Sequence, residues 1–244
     1  MQDPGLESVA EYDSVEDLAA LYIRKIELIV GDKPWCIAGW SSGGVIAYEM
    51  ANQLLAAGKP LGMIAMLDSQ AVTGPGSRTD DLRLVSAMTR LVSYQSGIEA
   101  PESDQISLDH ALDRLLDVAQ RTGVLPQNAG REQVDRLFNV FRRNVDVIGR
   151  YRAPAIRRRV LLFKATKPMH ESVRNAAIHT QSDLPSFGWE NLCNVVTHHV
   201  GADHMSIVSE PHATSVSSLL LGEIREANRI HALGNQVMFM MLGI

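Results

Sequence analysis

The pattern of apolar and polar residues is clearest between Trp35 and Gly58, where it predicts a strand, a sharp turn and a helix. Residues 35–38 form a short continuous apolar run, as in a strand that is buried on both faces. Gly39-Trp40-Ser41-Ser42-Gly43 follows at once, and its glycines favour a tight turn. From residue 45 to residue 55 the apolar side chains recur at helical spacing, and a glycine and a proline then end the pattern.

Further apolar runs have the length of buried strands, and helical stripes separate them. The predicted strands cover residues 62–68, 160–163 and 194–197, and the predicted helices cover residues 14–31 and about 212–232. A capping box is expected at the start of the first helix, where Ser14 and Asp17 have the required spacing. Strands that alternate with helices indicate an α/β protein with a parallel sheet.

The segment between the second and third predicted strands has a different pattern. A Gly/Ser-rich link around Gly74-Pro75-Gly76 leads into three helical stripes, at about residues 80–94, 107–123 and 134–148. Helix packing is sufficient to explain any single apolar residue of these stripes. Taken together, they predict an all-helical insertion at about residues 74–155, in the usual position of a lid.

The turn after the first strand contains the motif G-x-S-x-G, with Ser41 at its centre. In a strand–turn–helix context this motif lifts the serine hydroxyl above the strand end as a nucleophile. The backbone N–H of Ser42 and the positive end of the helix dipole then face the same point and are expected to stabilise an oxyanion. The alternative is a turn in which the serine only caps a helix. We interpret Ser41 as the candidate nucleophile.

A serine nucleophile needs a base, and His204 lies in a loop directly after the last predicted strand. His198 and His199 lie in the end of that strand and are expected to pack or to form local hydrogen bonds. Together with His212 these histidines suggest a metal site, but they lack the cysteine or carboxylate spacing of a zinc site. We therefore expect His204 to be the base, and we expect no bound metal.

Three aspartates are candidates for the acid that orients the base. Asp68 ends the strand that follows the nucleophile strand, so its carboxylate is expected at the same sheet edge as Ser41. Asp203 is adjacent to His204, and neighbouring side chains on a loop rarely point at each other. Asp183 has no strand directly before it. Asp68 is the preferred candidate, against the alternative that it only caps a turn.

Composition narrows the class of protein. The 244 residues are 45% hydrophobic and 21% charged, with a net charge of −5 and a pI near 5.9, so a nucleic-acid or membrane partner is not expected. The first residues are acidic and polar, unlike a signal peptide, and no apolar run is long enough to span a membrane. Cys36 and Cys193 lie in apolar, strand-like runs, as reduced buried thiols do. These features predict a cytoplasmic protein.

Several segments together resemble the thioesterase domains that end nonribosomal peptide and polyketide synthetases, which belong to the α/β-hydrolase superfamily. They are GWSSGGVIAYEMANQL, MLDS, NVDVIGRYRAP before VLLFKAT, and GW before GADHMSI. The resemblance extends over nearly the whole chain. It implies an α/β-hydrolase fold with a helical lid, in which Ser41 accepts the acyl group, Asp68 is the orienting acid and His204 is the base.

The resemblance also implies the reaction and its partners. An acyl or peptidyl chain, held as a thioester on the phosphopantetheine of a carrier protein, would pass to Ser41 and leave by hydrolysis or macrocyclisation. The domain itself would bind no cofactor. Trp40 and Met205 flank the implied catalytic residues and are candidates for contact with the acyl chain, although packing alone would also explain them.

Other functions of the same fold stay open. Standalone editing thioesterases usually carry the acid after the next strand, where this chain has Lys164-Ala165-Thr166, and this departure favours a releasing domain. A general esterase or lipase would act on free esters without a carrier protein. A non-enzymatic binding protein of this fold would normally lack one of the serine, the acid and the histidine.

The order of the elements predicts a domain that lacks its N-terminal strands. Residues 1–244 are interpreted as one α/β-hydrolase domain in which only one helix precedes the nucleophile strand. Folds of this kind place several strands before that point, and the loop after one of them supplies the second oxyanion N–H. We therefore expect about four parallel strands, an unpaired edge beside Cys36-Ile37-Ala38 and half of an oxyanion hole.

Overall fold

The computed structural model describes residues 12–31, 33–72, 80–98, 107–169, 184–230 and 238–242. Its strands are β1 (Trp35–Trp40), β2 (Leu61–Leu67), β3 (Arg159–Ala165), β4 (Asn194–Val200) and β5 (Met238–Leu242). Its helices are α1 (Val15–Val30), α2 (Ser42–Ala56), α3 (Asp81–Gln95), α4 (Leu108–Arg121), α5 (Arg131–Arg150) and α6 (His212–Ile230). Two short 3₁₀ helices, Trp189–Asn191 and Ser206–Val208, flank β4.

The strands form one sheet of five parallel strands in the order β4-β3-β2-β1-β5. The pattern predicted for β1 to β4 is confirmed, and only the ends of these elements differ. The predicted helix cap is also present, since Ser14 Oγ accepts the N–H of Asp17 at 3.0 Å. Because the strands are parallel, their carboxyl ends share one edge of the sheet, which is where ligands bind in open α/β folds.

Both faces of β1 are buried, which explains why its apolar run is continuous. Trp35 and Ile37 belong to a core that also contains side chains of α1, α2 and the end of α5. Cys36 and Ala38 belong to a second core, to which α6 contributes apolar side chains. The nucleophile strand is thus fixed between two packed layers.

Helices α3, α4 and α5 lie between β2 and β3 and form the helical insertion that the sequence predicts. They share an apolar cluster of their own, whose buried members are Leu84, Val85, Met88, Ala111, Leu112, Leu115, Val134 and Phe138. The end of α5 leaves this cluster, and Val147 and Ile148 join the core that contains α1. The insertion is therefore anchored to the sheet through the end of α5. Residues 73–79, which include the Gly/Ser-rich link, lie outside the described residues.

The strand β5 differs from the expectation. It pairs in parallel with β1, from Trp35 opposite Met238 to Gly39 opposite Leu242. The expectation of about four strands and of an unpaired edge beside Cys36–Ala38 is therefore wrong. A short apolar run is compatible with a strand or a helix, and the partner of this one is far away along the chain, so the local pattern does not assign it. That the domain lacks N-terminal strands stays a prediction.

A buried carboxyl group connects α2 to the end of the helical insertion. Glu49 on α2 is only 3% exposed, and the hydroxyl of Tyr151, directly after α5, donates to its Oε2 at 2.7 Å. Gln53 Nε2 donates to Oε1 at 2.8 Å, and Asn52 Nδ2 donates to Oε2 at 3.2 Å. Burial and the contact with Glu49 raise the pKa of Tyr151 above its ordinary value. This network joins the helix that follows the candidate nucleophile to the anchor of the insertion.

Replacing Tyr151 by phenylalanine removes one donor from this buried carboxyl group. We expect Tyr151→Phe to lower the free energy of unfolding by about 1–3 kcal/mol, measured by urea denaturation. Tyr48→Phe is the matched control, because the Tyr48 hydroxyl is also enclosed but donates to backbone carbonyls, that of Pro154 at 2.8 Å and that of Leu192 at 3.1 Å. A carboxylate accepts more strongly than a carbonyl. Equal losses in the two variants would contradict this account of the network.

Candidate active site

The turn between β1 and α2 has the strained backbone that a nucleophile elbow requires. Ser41 has φ 55° and ψ −128°, a sparsely populated conformation with positive φ that costs a non-glycine residue about 1–3 kcal/mol. The N–H of Ser41 donates to the carbonyl of Leu67 at 2.9 Å, so the turn stays bound to the end of β2. The hydroxyl of Ser41 makes no capping hydrogen bond to α2, which argues against the interpretation of this serine as a helix cap.

Two glycines at the turn, Gly39 in the motif and Gly44 directly after it, are required by close contact with neighbouring atoms. A Cβ on Gly39 would lie 2.1 Å from the carbonyl oxygen of Gly43, because the end of β1 and the start of α2 pass directly against each other. A Cβ on Gly44 would lie 2.4 Å from the Cβ of Ser69, in the segment after β2. The positions of these glycines therefore indicate how closely α2 approaches the end of β1 and the segment after β2.

The structure brings the three predicted residues together at the carboxyl edge of the sheet. His204 Nε2 lies 3.0 Å from Ser41 Oγ, and His204 Nδ1 lies 2.7 Å from Asp68 Oδ2. The carboxyl side chain is 3% exposed, whereas the imidazole is 21% exposed. An imidazole that donates from Nδ1 to a carboxylate can accept the serine proton at Nε2.

The carboxyl group of Asp68 is fixed by the backbone of β3. Its Oδ1 accepts the N–H of Ala165 at 2.8 Å, while Oδ2 faces His204, so both oxygens are used. Asp68 itself has φ 46°, and its N–H donates to the carbonyl of Phe163 at 2.7 Å. The end of β3, where editing thioesterases usually carry their acid, thus supplies a backbone donor to an acid directly after β2.

Asp203 stabilises the loop that carries His204 instead of orienting the imidazole. Its Oδ1 accepts the N–H groups of Met205 and Ser206, each at 2.9 Å. This arrangement is typical of an aspartate that folds back on its own loop. The sequence argument that prefers Asp68 to Asp203 agrees with this geometry. Asp183 lies outside the described residues.

Trp40 and Met205 lie beside the three residues, and both are 8% exposed. Trp40 Nε1 donates to the backbone carbonyl of His204 at 2.9 Å, a contact that residue types alone do not predict. Met205 belongs to the core on the α6 side of the sheet. Contact of either side chain with an acyl chain stays a prediction.

The remaining histidines and cysteines are not assembled into a second site in the described part of the chain. His198 stacks on Phe163, with 5.2 Å between ring centroids, and no group of three or more potential metal-ligating residues occurs there. Burial raises the pKa of the Cys36 thiol to about 12 and that of the Cys193 thiol to about 11, which disfavours the reactive thiolate. None of the helices that the structure describes is long and apolar enough to cross a membrane.

A parallel sheet with helices on both faces, and a serine, a histidine and an aspartate in line at its carboxyl edge, is the arrangement of the α/β-hydrolases. Within this class, the family model of the thioesterase domain matches residues 1–222, and the chain belongs to that family. The strand β5 lies after the matched residues.

Curated relatives are much longer than this chain. The dimodular nonribosomal peptide synthase of Bacillus subtilis is 26% identical over 156 residues, which are 63% of this chain and 6% of that protein. A non-reducing polyketide synthase of Nectria sp is 26% identical over 218 residues, which are 85% of this chain and 10% of that protein. The chain therefore corresponds to a small part of each of these proteins.

Solved structures agree with the fold. A four-domain nonribosomal peptide synthetase, crystallised in its holo form with AMP and glycine, aligns with a TM-score of 0.78 and 26% identity over 90% of this chain and 17% of that one. The NocB thioesterase domain, in covalent complex with a fluorophosphonate nocardicin G analogue, aligns with a TM-score of 0.58 and 22% identity. This alignment covers 93% of this chain and 81% of that one.

The contact between Gly39 and Gly43 gives a direct test of the turn. Gly39→Ala places a methyl group against a backbone carbonyl that cannot move alone, so we expect a loss of about 3 kcal/mol or more in the free energy of unfolding. Gly201→Ala is the control, because a Cβ there would meet nothing within 4 Å. The control should change stability by less than about 0.5 kcal/mol. Urea denaturation that gave similar midpoints for both variants would exclude the close approach.

Proposed function

We propose that this thioesterase domain releases the product of a carrier-protein assembly line. It takes an acyl or peptidyl chain from a phosphopantetheine thioester onto Ser41, and then frees the chain by hydrolysis or macrocyclisation. The observation that carries this proposal is the line from Ser41 through His204 to Asp68, with separations of 3.0 and 2.7 Å. Such a line converts a weak serine hydroxyl into a nucleophile near neutral pH.

In the first half of the reaction, Ser41 Oγ attacks the thioester carbon and its proton passes to His204 Nε2. The imidazolium is stabilised by Asp68, whose position is fixed by the N–H of Ala165. His204 then gives the proton to the departing pantetheine sulfur. The products of this half are an ester on Ser41 and a free thiol, so charge and protons balance.

The oxyanion of the tetrahedral intermediate needs hydrogen-bond donors that are directed at its negatively charged oxygen. Ser42 begins α2, where the first backbone N–H groups have no acceptor within the helix, and its N–H is our proposed donor. The second donor of this fold normally comes from a loop after another strand, and the expectation that only half of the oxyanion hole is present stays a prediction.

In the second half, water or a hydroxyl or amine of the bound chain attacks the ester carbon and gives its proton to His204 Nε2. His204 then returns this proton to Ser41 Oγ as the ester bond breaks, which restores the serine hydroxyl. Helices α3 to α5 are proposed to cover the chain and limit the access of water, which would favour ring closure over hydrolysis. Hydrolysis and macrocyclisation differ only in the attacking group, and the same three residues serve both.

The relatives support the choice of partner. They are named as peptide and polyketide synthases, and we propose by analogy that this domain meets an acyl or peptidyl carrier protein. No cofactor is needed by the domain itself in this scheme. Cys36, which is buried, and Cys193, which is partly buried, are both free thiols, and this is consistent with a reducing, cytoplasmic location.

The test is mass spectrometry of the protein after incubation with acyl-pantetheine thioesters. We expect an acyl adduct on Ser41 and none in Ser41→Ala. His204→Ala should slow acylation by about 10²- to 10⁴-fold, and Asp68→Asn by about 100-fold or more. The matched control is Asp203→Asn, because an amide oxygen can still accept the two N–H groups of the loop.

Three results would contradict the proposal. The first is the persistent absence of an adduct on folded protein. The second is a larger loss in Asp203→Asn than in Asp68→Asn, which would move the acid to Asp203. The third is rapid turnover of free nitrophenyl esters with no reaction of pantetheine thioesters, which would indicate a general esterase.

A further inference from the structure

The residue before the candidate nucleophile makes a direct contact with the loop of the candidate base. Trp40 is the last residue of β1, and its indole N–H donates to the backbone carbonyl of His204 at 2.9 Å. The indole and imidazole rings are tilted by 31°, with 5.3 Å between their centroids. One side chain therefore contacts both the backbone and the ring of His204.

We infer that Trp40 is a positioning residue for His204. Its indole N–H holds the backbone of the loop so that the imidazole stays within reach of Ser41 and Asp68 together. This inference rests on the proposed function, because it gives Trp40 a role only if His204 is the base. It also differs from the expectation that Trp40 contacts the acyl chain.

The loop needs such a support because of the path that it follows. His204 comes after β4, whereas its partners follow β1 and β2, and β3 lies between. The N–H of Lys167, shortly after β3, donates to the carbonyl of Ala202 at 2.9 Å and holds the start of the loop, whereas the contacts of Asp203 with Met205 and Ser206 shape the loop internally. The indole of Trp40 reaches the same loop from the end of β1, the strand that also presents Ser41.

The burial of Trp40 agrees with this role. The residue is 8% exposed and belongs to the apolar core on the α6 side of the sheet, so little of the ring is left to meet a substrate. A buried indole loses its freedom of rotation, and a rigid donor positions its acceptor well. Displacement of a catalytic group by about 1 Å can lower a rate about 100-fold.

The experiment compares Trp40→Phe with Trp35→Phe in the full chain, using an acyl-pantetheine substrate. Both tryptophans lie on β1 and are buried, but Trp35 Nε1 has no hydrogen-bond partner in the described part of the chain. We expect Trp40→Phe to lower kcat by about 10- to 100-fold with KM unchanged, and Trp35→Phe to leave kcat unchanged. If Trp40→Phe does not fold, replacement of Trp40 by benzothienylalanine removes the N–H and retains the ring shape.

A second measurement separates positioning from a general structural effect. The rate at which a fluorophosphonate labels Ser41 is measured for Trp40→Phe, His204→Ala and the double variant. A residue that acts through His204 should have no further effect once His204 is absent, so the double variant should label as slowly as His204→Ala.

Other outcomes overturn the inference. An equal further loss in the His204→Ala background would mean that Trp40 acts on Ser41 or on stability. A raised KM with unchanged kcat in Trp40→Phe would make Trp40 a substrate contact. A normal labelling rate in His204→Ala would reject the proposed function and the inference together. A reduced labelling rate in His204→Ala with a normal rate in Trp40→Phe would reject the inference alone.

Discussion

The relative position of the candidate catalytic groups depends on main-chain hydrogen bonds that continue the sheet beyond its strands. The N–H of Ser41 binds the end of β2, and the N–H of Asp68 binds β3. A third bond of this kind joins the N–H of Thr166 to the carbonyl of Val200 at the end of β4. The residue that follows each of β1, β2 and β3 is thus bound to the adjacent strand, and this edge of the sheet holds the candidate catalytic groups in fixed positions. His204 is placed at this edge by a loop.

Much of this arrangement can be predicted from residue types and their order. The strand–turn–helix around Ser41, the aspartate at the end of β2 and the histidine after β4 each have a side chain or a periodicity that marks them. The support that Ala165 gives to Asp68 is different, because a backbone N–H is present in every residue except proline and leaves no trace in the sequence. The pairing of β5 with β1 is also hidden, since it joins segments far apart along the chain.

The two aspartates near the site show that adjacency to His204 in the sequence does not decide which carboxyl group contacts its imidazole. Asp203 is adjacent to His204 in the chain, yet its carboxyl group accepts N–H groups of its own loop. Asp68 is distant in the chain, yet it lies 2.7 Å from the imidazole. Parallel strands make this possible, because they bring distant strand ends to one edge.

Only three non-glycine residues in the described part of the chain have a positive φ, and Ser41 and Asp68 are two of them. Selection for stability alone would favour glycine at both positions, since glycine adopts this conformation without strain. A serine and an aspartate at these positions lower stability, and both side chains belong to the candidate site. At Ser41 and Asp68 the backbone strain therefore coincides with the candidate site, and this observation does not depend on similarity to other proteins.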